Sequence, residues 1–148
     1  MIAYLKAFGA KHNLETKVDE AGNVLIKKPA TPGKENLQTV VLQSHIDMVC
    51  EKNNDVQHDF LTDPIETEID GEWLKAKGTT LGADNGIGVA TELAILADDS
   101  IEHGPLECLF TVDEETGLTG AFALQEGFMS GDILLNLDSE DEGEIFIG

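Results

Sequence analysis

The residues best suited to chemistry in this sequence stand directly after short apolar runs. His45 and Asp47, in Ser44-His45-Ile46-Asp47, follow the run at residues 39–42. Asp113, Glu114 and Glu115 follow residues 106–112, and Asp138 follows residues 133–137. A further acid, Asp84, lies among Gly82, Gly86 and Gly88, ahead of the apolar stretch at residues 87–97. One imidazole surrounded by carboxylates is a ligand set for a divalent metal. The His-x-Asp spacing lets a carboxylate hold one ring nitrogen while the other faces the ion. Glycines around Asp84 allow backbone and carboxylate to approach a bound group closely. A charged trio after an apolar strand is costly to place unless something positive faces it. Each feature alone has an ordinary explanation: a polar loop histidine, an acid favoured by a helix N-terminus, solvated surface glutamates. Taken together they favour a metal site.

That convergence depends on the elements in between. Ile2, Leu5, Phe8 and Gly9 recur at helical spacing within residues 2–13. Leu14, Thr16 and Val18 alternate as a short strand, Ala21-Gly22-Asn23 makes a turn, and Val24-Leu25-Ile26 makes a second strand. Residues 29–36 form a polar loop. Residues 39–42 are apolar without alternation, as in a parallel strand covered on both faces. Residues 51–63 are a long polar loop, of a length that marks a functional or covering segment. Residues 65–76 read as a hairpin turning at Asp70-Gly71. Residues 87–97 predict a helix buried against a sheet. Strands follow at 106–112 and 133–137, a short helix lies between them at 118–124, and a last strand is expected at 145–147. The alternation predicts an α/β fold: a mixed, mainly parallel sheet flanked by helices, its early strands forming antiparallel edges. Ligands of such sheets collect outside the carboxyl ends of the strands, where these acids and His45 fall.

Composition narrows the partners. The chain has 148 residues and a formal net charge of −20, with 29 acidic residues against 9 basic ones, all of them lysine. Such acidity repels phosphate backbones and anionic lipid, so neither nucleic acid nor membrane is an expected partner. No apolar run reaches the roughly 18 residues of a spanning helix, and no signal-peptide pattern opens the sequence. Cys50 and Cys108 are far apart, which suits a reducing cytoplasm, and both are expected to pack as small hydrophobes. Other motifs fail. Gly86-Ile87-Gly88-Val89-Ala90-Thr91 has Thr91 where a dinucleotide fingerprint needs its third glycine. Residues 138–143 only faintly resemble a calcium loop. His12, His58 and His103 read as structural or exposed.

Five consecutive blocks carry a resemblance that covers nearly the whole chain: SHIDMVCEKN (44–53), HDFLTDPI (58–65), GTTLGADNGIGVA (78–90), DEETGLTGA (113–121) and LDSEDEGEIFIG (137–148). In order and spacing they resemble the aminoacyl-histidine dipeptidases, also called Xaa-His or cytosolic non-specific dipeptidases. These are two-zinc exopeptidases grouped with carnosinases and carboxypeptidase G. The resemblance implies a cytoplasmic metallo-dipeptidase that hydrolyses Xaa-His and other dipeptides with water activated by two divalent ions, zinc or else manganese or cobalt. It implies that His45 and Asp138 bind one ion, Glu115 binds the other, and Asp84 bridges both. Asp47 would orient His45, and Glu114 would be the general base. The family's distant C-terminal histidine, a ligand of the second ion, has no counterpart here, nor does its lid domain. Residues 1–148 are therefore expected to be part of a catalytic domain cut at both ends, from a parent that dimerises. The alternative is a metal-binding fragment without activity, and the remaining possibility is an acidic interaction module. Uncovered apolar strand edges predict marginal stability and self-association.

Overall fold

The computed structural model describes residues 1–139 and 143–147. In chain order the elements are α1 (Ile2–Lys11), β1 (Glu15–Val18), β2 (Val24–Lys28), β3 (Val40–His45), β4 (Thr67–Asp70), β5 (Trp73–Ala76), α2 (Ala83–Ala97), β6 (Leu106–Thr111), α3 (Thr119–Ala123) and β7 (Ile133–Asn136). Five strands form one sheet in the order β1-β2-β6-β3-β7, and β4-β5 is a separate hairpin. The sheet is mixed. β1–β2 and β2–β6 are antiparallel, while β3 runs parallel to both β6 and β7. The parallel half is the half that carries the candidate site.

Alternate residues of each strand serve opposite faces of the sheet. Leu5 of α1 and Val89 and Leu96 of α2 pack with Val24, Ile26, Leu42, Cys108 and Phe110 on one face. On the other, Leu25, Val41 and Leu109 are covered by Leu124, Phe128 and Met129. Because both faces are covered, β6 is buried along its whole length. That explains why its sequence lacks the alternation of a half-exposed strand.

Polar residues fasten these layers. Lys28, at the end of β2, is buried and donates from Nζ to Ile95 O at 3.2 Å and Asp98 O at 2.7 Å. A cation there satisfies carbonyls that the C-terminal end of α2 leaves free. On β6, Glu107 accepts from Ser130 N (2.8 Å), Ser130 Oγ (2.6 Å) and Gly131 N (3.2 Å), and pairs with Lys27. This ties the entry of β7 to the sheet centre.

Two expectations need correction, and a third, the helix buried against the sheet, is met on one face only. Residues 145–147 do not form a strand, and Ile145, Phe146 and Ile147 are exposed. Without a neighbouring strand to pair with, an apolar tripeptide makes no ladder. The helix α2 buries only one stripe, Asn85, Gly88, Val89, Glu92 and Leu96, and leaves Ile87 69% exposed. A single helix layer lies over that face of the sheet, so its far side meets no second layer. Cys50 is exposed in the loop after β3, whereas Cys108 is buried as expected. The faint calcium-loop pattern includes residues 140–142, which lie outside the described residues. No helix among the described residues is long and apolar enough to cross a membrane.

Candidate metal centre

The parallel strands bring the candidate residues to one edge. β3 runs through His45, which stands in register with Thr111, the last residue of β6. The Ile46 N–H extends the pairing to Thr111 O at 2.9 Å, so Asp47 emerges beside the exit of β6. There Asp113 adopts a left-handed conformation (φ 58°), which an aspartate tolerates and which reverses the chain. The reversal aims two successive N–H groups at one carboxylate. Glu114 N donates to Asp47 Oδ1 and Glu115 N to Asp47 Oδ2, both at 3.1 Å. Beyond β7, Leu137 N donates to Gln43 O at 2.9 Å and leads the chain to Asp138.

Asp84 arrives from the first turn of α2, which opens with Gly82 at φ 78°. A side chain at Gly82 would be strained, and its Cβ would stand 2.8 Å from Met48 Sδ. The buried Asn85 donates from Nδ2 to Leu137 O at 3.1 Å, fixing the start of α2 to the chain leaving β7. The glycine-rich sequence and Asp84 were legible. Asn85 was not, because an asparagine after an aspartate signals nothing by itself about a bond to a residue far along the chain.

His45 is the hub. Its ring is buried, with Nε2 3.0 Å from Asp84 Oδ1 and 3.7 Å from Asp138 Oδ2. Its Nδ1 lies 3.3 Å from Asp47 Oδ1 and 3.1 Å from Asp47 O. Two sets of donor atoms each fall within 4.8 Å of one another: His45, Asp84 and Asp138 in one, and His45, Glu114 and Glu115 in the other. The six residues to which the resemblance gives roles are therefore brought together, whereas Asp113 belongs to neither set. Glu114, expected to move protons, also lies within ligand reach. Asp84 and Glu115 line a cavity of about 330 Å³ whose other walls include Met48, Val49 and Leu81.

The charges are coupled. Burial works to lower the pKa of His45, but the carboxylates of Asp84, Asp138, Asp47 and Glu114 outweigh it and raise it. Burial pushes Asp47 up, yet the N–H groups of Glu114 and Glu115 and the nearby His45 leave it below the usual carboxylate range. Glu114 is raised, chiefly by burial, with Asp138, Glu115 and Asp47 adding to the effect and His45 opposing it. Two like charges 4 Å apart repel by about 4 kcal/mol at an effective dielectric of about 20. A group of carboxylates gathered around one imidazole is thus matched to a divalent cation. Its mixed N and O donors suit zinc, manganese or cobalt.

A sequence profile described as Peptidase family M20/M25/M40 matches residues 41–144, a span containing all six residues. The chain belongs to this family. It is 57% identical over 145 residues to the cytosol non-specific dipeptidase of Escherichia coli (strain K12), covering 98% of this chain and 30% of that protein. Among solved structures, the aminoacylhistidine dipeptidase of Vibrio alginolyticus superposes with a TM-score of 0.92 at 59% identity, over 96% of this chain and 29% of that one. A tripeptidase from Staphylococcus aureus superposes with a TM-score of 0.76 at 25% identity, over 93% of this chain and 37% of its own. The mixed α/β sheet is accordingly a peptidase-family fold. The chain spans about a third of the length of these family members.

Proposed function

We propose that this chain forms the metal-holding part of the catalytic domain of a cytoplasmic metallo-dipeptidase that acts on Xaa-His and other dipeptides. The observation that carries the reading is His45. One ring nitrogen faces Asp84 and Asp138, the other faces Asp47, and Glu114 and Glu115 close the ring of donors. High identity to a cytosolic dipeptidase supports the substrate class and the compartment.

In this reading His45, Asp84 and Asp138 would hold one divalent ion, and Asp84 and Glu115 would hold a second. A pair of such ions supplies Lewis acidity toward a peptide carbonyl and toward water. The Nδ1 proton of His45 is accepted by the Asp47 main-chain O, with the Asp47 carboxylate beside it, which fixes the tautomer that leaves the Nε2 lone pair free for a ligand bond. The same carboxylate holds the backbone of Glu114 and Glu115 in place through their N–H groups. Glu114 takes a proton from the attacking water and returns it to the departing amine, a task for which a raised carboxyl pKa is suited. The lid and the dimer contact of this reading belong to a longer parent protein, with residues 1–148 as one part of its catalytic domain.

A second reading has its own support. His45 is the only histidine in either donor set, and the chain spans only 30% of its E. coli relative. Metal binding without turnover fits both facts. The deciding experiment strips the purified chain with chelator, reloads it with Zn²⁺, Mn²⁺ or Co²⁺, and follows hydrolysis of Gly-His and β-Ala-His. Metal-dependent turnover that is lost in Glu114→Gln while metal uptake persists is the expected result. Uptake without turnover selects the second reading, and a chain that takes up no metal refutes both.

A further inference from the structure

One acid lies inside the core rather than at the sheet edge. Glu92 of α2 is fully buried, and neither carboxyl oxygen has a hydrogen-bond partner. It shares the inward stripe of α2 with Gly88, one helical turn earlier. At Gly88 the helix presses on β3 so closely that an added Cβ would stand 2.9 Å from Ser44 Cβ and 1.9 Å from Asn85 Oδ1. The next turn therefore delivers the Glu92 carboxyl against the sheet, where it meets Ser44 of β3 and Cys108 of β6. Ser44 Oγ is likewise buried without a partner. The cation acting on this cluster is Lys28 of β2, through Cys108. Its ammonium is engaged by Ile95 O, Asp98 O and Asp99. α1 contributes apolar residues to this face, Leu5 with Ile2 and Phe8.

A carboxylate in such surroundings has no compensation, whereas a carboxylic acid has a proton to donate and a carbonyl to accept. Ser44 and Cys108 are the side chains beside that O–H that can accept from it. We propose that Glu92 is held as a neutral carboxylic acid clamping α2 to β3 and β6, and that its deprotonation at alkaline pH releases the clamp. The consequence reaches the sheet edge. Asp84 rides on the first turn of α2 and His45 ends β3, so the contact that Glu92 maintains also sets their approach. This inference does not depend on the peptidase reading, because it concerns the folded chain without metal.

Burial is what keeps the proton on, raising Glu92 to about 9, while the neighbouring Cys108 thiol is also pushed up by burial. The folded acid is thus neutral where the unfolded one, near 4.5, is ionised. Stability from this group is full below the unfolded value and is lost as pH rises toward the folded one. One bound proton corresponds to about a tenfold fall in the folding constant per pH unit across that window.

The test is urea denaturation of the whole chain, in chelator, at intervals from about pH 6 to pH 8, for the natural chain and Glu92→Gln. The folding constant of the natural chain should fall about tenfold per pH unit relative to the variant. Parallel curves overturn the proposal. Should Glu92→Gln fail to fold, infrared spectra of the natural chain in D₂O decide. A protonated-carboxyl C=O band that persists at neutral pD and disappears in alkali supports the clamp, and the absence of such a band at neutral pD overturns it.

Discussion

Replacing Asp47 by Asn probes the joint between the two strand ends. Its carboxylate accepts two N–H groups, from Glu114 and Glu115, at 3.1 Å each, and faces His45 Nδ1 at 3.3 Å. An asparagine keeps one of those oxygens and turns its NH₂ toward the other N–H. One bond to a charged acceptor, worth about 1.5–3 kcal/mol, is then exchanged for two donors facing each other. The Asp47 side chain is 26% exposed, so water recovers part of the loss. The expected cost is about 1–2 kcal/mol of folding stability. In the proposed reading Asp47 also orients His45, so zinc affinity should fall about 10–100-fold. The stability difference should depend on pH in a defined direction. Burial raises the Asp47 pKa, but its N–H partners and His45 bring it below the ordinary value of 3.8. The contribution is therefore present above that value and is lost as pH falls through the folded pKa, so the gap between the two chains should close in acid. Urea denaturation in chelator and calorimetric zinc titration measure the two effects. A variant within about 0.5 kcal/mol of the natural chain, with zinc affinity unchanged, would refute the joint.

Other perturbations address the frame around the site. Glu107→Gln leaves Lys27 without its partner and weakens the bonds to Ser130 and Gly131, and should destabilise by about 2 kcal/mol in a urea melt followed by circular dichroism. Gly88→Ala forces a Cβ against Asn85 and Ser44 and should cost about 1–3 kcal/mol, with weaker zinc uptake in calorimetry because α2 carries Asp84. β7 borders the sheet with Ile133, Leu134 and Leu135 exposed, so sedimentation should show association that grows with concentration and recedes in Leu134→Lys.

Much of the site was legible because its geometry derives from strand ends. Apolar runs at residues 39–42, 106–112 and 133–137 located β3, β6 and β7, and parallel strands deliver the residues just beyond them to one edge. His45, Asp47, Glu114, Glu115 and Asp138 needed no more than that. The supports were less readable because their partners are distant in sequence. Buried Asn23 donates to Gly120 O and accepts from Val112 N, and Asn85 reaches Leu137 O. Nothing local distinguishes such asparagines from turn residues. Glu92 was hidden differently: in a helix it reads as a solvent-facing acid, and only the position of α2 over β3 shows that it faces inward. The expected strand at 145–147 failed because apolarity alone does not supply a partner to pair with.

The most direct measurement is anomalous diffraction at the zinc edge from crystals of the chain grown with Zn²⁺. An anomalous peak about 2.0–2.2 Å from His45 Nε2 and from carboxylate oxygens of Asp84 and Asp138 is the predicted result, with a second peak between Asp84 and Glu115. Zinc bound elsewhere, with His45 still paired only to carboxylates, would contradict the assignment.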